Sequence, residues 1–197
     1  YDAIQKVSLM DTARPWFGVD KAVKDFKVTG KKGPFPHKYS KNDIVIAVLD
    51  TGIDANHVDL ANGKVIGWHD EINPSTTEPY DDNGHGTHVA GIAAGAGKGQ
   101  WKYRGVAFGA ALVGVKVINA NDNSSPSIVI AGIQWCVNNK DVFDINIINM
   151  SLGFTLPSLA LIDTTNNAVD AGIVVCAAAG NSGPATETIL CPGDAEK

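Results

Sequence analysis

Four short stretches of the chain, residues 44–49, 112–118, 145–150 and 173–178, are apolar at almost every position. A strand with one wet face alternates apolar and polar side chains, whereas a strand covered on both faces has no reason to. The four stretches are therefore predicted to be strands of a parallel sheet, and residues 64–68 are a weaker fifth candidate. Between them the apolar spacing becomes helical. Residues 85–95 start in a glycine-rich turn and are full of small side chains suited to close packing. Residues 127–138 follow Pro126, with Ser127 as the expected N-cap. Residues 159–171 carry Leu161, Ile162, Ala168 and Val169 and end at Gly172, a suitable residue just past a helix.

This alternation predicts an α/β fold: a three-layer open sheet, mostly parallel, with helices on both faces. There is no internal repeat and no low-complexity tract. Residues 1–40, whose loops around Lys31 and Lys32 are rich in Gly and Pro, read as an extension wrapping a single domain formed by residues 41–197. In open α/β sheets ligands bind beyond the carboxyl ends of the strands. Asp50 ends the first predicted strand, Asn149, Ser151 and Gly153 lie at the end of the third, and Gly180-Asn181-Ser182-Gly183 follows the fourth. Three strand ends thus deliver polar groups to one rim.

Composition narrows the partners. The 197 residues are 44% hydrophobic and 19% charged, which is ordinary for one globular domain. With 16 basic and 21 acidic residues the net charge is −5, so neither nucleic acid nor a membrane surface is expected as a partner. Lys31 and Lys32 form the only basic cluster and are expected to be solvated. No apolar run reaches the roughly 18 residues of a membrane span. No leader segment opens the chain, which suits a cytosolic or an already processed protein. Cys136, Cys176 and Cys191 match no disulfide framework or zinc spacing; buried free thiols are expected, with one bridged pair left open.

Asp50 could merely cap its Asp-Thr-Gly turn, and His85 could merely sit in a solvated loop. Taken together they suggest a carboxylate that fixes one ring nitrogen of an imidazole, leaving the other to accept a proton from a hydroxyl. His85 and His88 are spaced wrongly for the His-Glu-x-x-His zinc motif, and no glutamate lies between them. Gly97-Lys98-Gly99 lacks the first glycine and the hydroxyl of a phosphate loop and follows a helix rather than a strand. Gly180-Asn181-Ser182-Gly183 could merely be the turn that ends its strand; read functionally, it offers an amide N–H to an oxyanion. Neither Ser182, where Pro184 spoils the Gly-x-Ser-x-Gly pattern, nor Ser151 has a persuasive nucleophile setting.

Val48-Leu49-Asp50-Thr51-Gly52-Ile53-Asp54 and Asn83-Gly84-His85-Gly86-Thr87-His88-Val89-Ala90-Gly91 resemble the aspartate and histidine motifs of the subtilisin-like serine proteases. Ile148-Asn149-Met150-Ser151-Leu152-Gly153 and Ala177-Ala178-Ala179-Gly180-Asn181 resemble the family's two specificity-pocket walls. The resemblance implies a subtilisin-like fold and endoproteolysis by acyl transfer. Asp50 would orient His85, His85 would be base and then acid, and Asn181 would steady the oxyanion. Polypeptide substrate would lie between Asn123-Ser124-Ser125 on one side and Ser151, Leu152 and Gly153 on the other, with Ala178, Ala179 and Gly180 as the second pocket wall. These small neutral walls suggest a bulky apolar side chain on the residue before the cut (P1).

The family's serine sits in Gly-Thr-Ser-Met-Ala, a string absent here. The chain is therefore expected to be the N-terminal two-thirds of a catalytic domain, its sheet incomplete at the C-terminal end and its triad completed from elsewhere; alone it is expected to be inactive. The resemblance further implies secretion, and a propeptide or inhibitor as partner. No cofactor is required for the chemistry, and no metal-ligating residue is assigned. Asp59 resembles a calcium ligand of the family, but residues 95–104 hold three cations and no acid. Structural calcium stays open at Asp81 and Asp82 or at residues 121–123, where exposed loop acids are the simpler reading. Two rivals stand beside the endopeptidase: a nucleophile-less fold that only holds a peptide, and an acid-pH site built on Ser, Glu and Asp, which His85 argues against.

Overall fold

The computed structural model describes residues 10–33 and 38–197. Strands β1 (Val45–Asp50), β2 (Val65–Asp70), β3 (Ala111–Lys116), β4 (Ile145–Met150) and β5 (Val174–Ala177) form one sheet of order β2-β3-β1-β4-β5. All four pairings are parallel. Among the described residues six α-helices accompany them: α1 (Met10–Trp16), α2 (Val19–Phe26), α3 (His85–Ala94), α4 (Pro126–Asn138), α5 (Lys140–Phe143) and α6 (Leu159–Asp170). Val45, Ala47 and Leu49 of β1 point into one core with Val129, Ile133 and Cys136 of α4 and Leu161 of α6. Ile46 and Val48 point to the other, with Ala90 and Ala94 of α3. Both faces of the sheet are therefore covered, and β1 is buried at all six positions. The fold is the α/β class that the apolar runs predict.

Two expectations are corrected. The cap of α4 is Ser125, whose side chain accepts from the Ile128 N–H, and Pro126 takes the first helical position where its missing N–H costs nothing. Within residues 1–197, β5 pairs with β4 alone, and in this chain Val174 is 61% exposed and Cys176 is exposed, while Cys136 and Cys191 are buried. All three are free. Lys31 is not a solvated charge. Its ammonium is 3.0 Å from Asp43 Oδ2, both side chains being buried, while Lys32 pairs with Asp144 at the surface.

The described part of residues 1–40 packs onto the domain through charge. Arg14, buried in α1, donates to the Gly105 carbonyl and to Asp20, which also accepts from Arg104. No helix among the described residues is long and apolar enough to cross a membrane. The chain builds β2 and β3 on one side of β1 and then crosses to build β4 and β5 on the other. The carboxyl end of β1 thus lies where strand order reverses, the usual position of a ligand crevice.

Candidate active site

Asp50 closes β1 with its side chain fully buried, and His85 opens α3 with its ring 46% exposed. The Nδ1 of His85 lies 2.6 Å from Asp50 Oδ1. A carboxylate can only accept, so Nδ1–H donates and Nε2 carries the free lone pair at the exposed end of the ring. Asp50 Oδ1 also accepts from the Thr51 N–H at 2.8 Å, while Oδ2 is buried with no partner among the described residues. Burial, and more weakly the nearby Asp81, raise the Asp50 pKa; the bonds from His85 and Thr51 pull against that rise without cancelling it.

Helix α3 can approach β1 this closely because its second residue is Gly86. A β-carbon there would collide with the Gly52 carbonyl and sit 3.0 Å from Asp50 Cβ. The helix start is held by Asp81, which sequence reasoning took for a loop acid. Its Oδ1 accepts from Thr51 Oγ1 at 2.9 Å and from the Asn83 and Gly84 N–H groups, and its Oδ2 accepts from Thr87 Oγ1 at 2.6 Å and the Thr87 N–H. Thr51 Oγ1 in turn accepts from the Gly86 N–H at 2.9 Å. One carboxylate therefore joins the turn after β1 to both sides of His85. Burial alone would raise the Asp81 pKa, but the donors on Thr87, Gly84 and Asn83 outweigh it and hold the group below the ordinary carboxylate value.

Lys116, buried at the end of β3, adds a second brace. It donates to the Thr51 carbonyl, to the Ile118 carbonyl at 3.0 Å and to Asp82 at 2.6 Å. Asn83 reaches across to Asp122 at 2.8 Å and the Ala120 carbonyl at 3.2 Å, tying the His85 loop to the segment before Ser124. Thr51, Asp81 and Thr87 left one signal in the sequence: an Asp shortly before a helix start, where Asx-turn chemistry is expected.

The other candidates lie along the same rim. Ser124 Oγ donates to the Val117 carbonyl at 2.6 Å and Ser125 caps α4, so both hydroxyls are engaged locally just beyond β3. Ser151 Oγ accepts from Asn149 Nδ2 at 3.0 Å, directly after β4, followed by half-buried Leu152 and Gly153. Ala178, Ala179 and Gly180 follow β5, and Asn181 and Ser182 are exposed beyond them. His88 is exposed one turn along α3 and takes no part in the Asp50 contact. Asp59 Oδ1 accepts from the Gly99 N–H at 2.9 Å, and the loop behind it brings cations rather than oxygen ligands. That donor set does not fit a calcium ion. Among the described residues no cluster of three His, Cys, Asp or Glu could hold a metal.

A carboxylate-anchored imidazole thus stands at the strand-order reversal of a parallel sheet, with its second ring nitrogen free to accept a proton. Residues 41–197 match the Subtilase family, and the chain belongs to that family. It is 41% identical to serine protease AprX of Bacillus subtilis (strain 168) over 96% of this chain and 42% of that protein. It is likewise 41% identical to a subtilisin of Bacillus pumilus, over 80% of this chain and 55% of that one. Among solved structures it is similar to the S41 psychrophilic protease, with a TM-score of 0.67 and 31% identity over 85% of this chain and 55% of the other. The chain thus spans about half the length of the relatives it matches.

Proposed function

We propose that the protein to which this chain belongs is a serine endopeptidase, with Asp50 and His85 as two members of its triad and the serine supplied from outside residues 1–197. The observation that carries the proposal is the Nδ1–Oδ1 contact of 2.6 Å between a fully buried carboxylate and a ring that stays 46% exposed. As the serine oxygen bonds to the substrate's carbonyl carbon, its proton passes to His85 Nε2 and the carbonyl electron pair moves onto oxygen. Asn181 donates a hydrogen bond to that oxyanion. The amine then leaves with the proton from His85, and water repeats the sequence to release the acid and restore the serine. Asp50 never gains the proton; it holds the ring and stabilises the imidazolium.

An extended peptide lies between residues 123–125 and residues 151–153, whose parent strands β3 and β4 flank β1. The chemistry needs no cofactor. The acids open to a structural calcium are engaged: Asp81 by five donors, Asp82 by Lys116, and Asp122 by Asn83. Secretion, and a propeptide or inhibitor as partner, belong to the same proposal, and membership of the family supports them. The 197-residue chain by itself has no peptidase activity. The test is to treat the full-length protein with a serine-directed fluorophosphonate and with casein. Labelling and cleavage are expected; an unlabelled protein that leaves casein intact would mean a fold that binds peptide without cutting it.

A further inference from the structure

We propose that Leu190 fills the specificity slot between the two pocket walls and restricts P1 to Gly, Ala or Ser. This rests on the endopeptidase reading above. The walls at residues 151–153 and 178–180 leave the sheet from adjacent strands, with Met150 opposite Ala177 in the register. Gly153 and Gly180 put no side chain between the walls at these two positions, which on its own would leave the slot there open. Leu190 occupies that space. A β-carbon on Gly180 would lie 2.5 Å from Leu190 Cγ and 2.8 Å from Cδ1; one on Gly153 would lie 2.6 Å from Leu190 Cβ and 3.0 Å from Cδ1. The same side chain is therefore packed against both walls at once.

Its backbone is fixed there. The Leu190 N–H donates to the Ala179 carbonyl at 3.0 Å, which ties it to one wall. The next residue, Cys191, is buried and exchanges two hydrogen bonds with Phe154, at 2.8 and 3.0 Å, which ties it to the other. Gly193 then passes against the Ala178 carbonyl, closer than any β-carbon would allow. A leucine stitched to both walls cannot swing aside as part of a free loop. A P1 methyl or hydrogen fits above it, whereas an aromatic or branched side chain needs the volume it takes. The walls alone suggested a bulky apolar P1; the residue between them reverses that expectation.

The experiment uses the full-length protein and internally quenched peptides that differ only at P1, as Gly, Ala, Leu or Phe. Fluorophosphonate labelling and casein cleavage come first: failure of both defeats the endopeptidase reading itself, not the reading of the slot. In labelled protein, kcat/KM for Ala is expected to exceed that for Phe by about tenfold or more, since each methylene in such a pocket is worth about 10- to 200-fold. L190G is expected to raise the Phe:Ala ratio by about tenfold or more, with L190A in between. A wild type that prefers Phe or Leu overturns the proposal, and so do labelled L190G and L190A proteins with an unchanged ratio. If a variant fails to label, the wild-type ratio decides.

Discussion

The carboxyl ends of β1 and β5 are built in opposite ways. Beyond β1, Asp50, Thr51, Asp81, Gly86 and Thr87 are knitted by hydrogen bonds of 2.6 to 2.9 Å, largely out of water. Buried polar groups persist only when paired, so each member of that knot fixes its neighbours. Beyond β5, Gly180 and Leu190 are half-buried, while Ala179, Asn181 and Ser182 are exposed. Two backbone ties and one leucine side chain shape that end. A group that must move a proton along a fixed line needs the first kind of construction. A surface that must admit different peptides can use the second, and a single side chain can then reset its size.

The contrast is sharpest in the activity of full-length variants. Replacing Asp50 by Asn should lower kcat about 10⁴-fold, because the imidazole loses the acceptor that fixes its tautomer. A loss under tenfold would remove Asp50 from the proton-transfer unit. Replacing Asn181 by Ala should cost about 10²- to 10³-fold in kcat with little change in KM, since an oxyanion donor acts on the transition state. A change confined to KM would instead make Asn181 a ground-state contact.

Asp81 tests whether the knot positions His85. D81N should lower stability by about 1–3 kcal/mol, because buried Thr51 and half-buried Thr87, with the Asn83 and Gly84 N–H groups, lose a charged acceptor. It should also lower kcat more than it raises KM. The folded-state pKa of Asp81 lies below its ordinary value, so its stabilisation is complete above about pH 3.9 and is lost as pH falls through the folded value. Urea unfolding should therefore show a wild-type advantage over D81N that is flat near neutrality and shrinks in acid; an advantage that grows in acid would contradict this. The smallest effect is expected away from the site. S125A should cost about 1 kcal/mol as a lost N-cap, whereas S127A should cost much less.

Most of the fold was legible because buried parallel strands write themselves as apolar runs: β1 and β3 are buried at every position, while β4, with Asn146 and Asn149, is fully buried at three of six. β5 carries the same kind of run, and within residues 1–197 it pairs with β4 alone, so Val174 and Cys176 are exposed in this chain. The N-cap of α4 was misplaced by two residues although Pro126 marked it, since proline favours the position just inside a helix. Asp50 and His85 were legible from their strand-tip and helix-start settings. Asp81 was not, because Thr51 lies 30 residues away and only the folded chain brings the two together. Lys31 looked solvated for the same reason, its partner Asp43 lying 12 residues on. Leu190 follows both pocket walls in sequence, and nothing in its local pattern says that it turns back between them.

The central claim is that Asp50 and His85 act as one unit, and a double-mutant cycle on kcat in the full-length protein tests it most directly. D50A combined with H85A should be no slower than H85A alone. If the two losses multiply instead, the carboxylate and the imidazole work independently and the account fails.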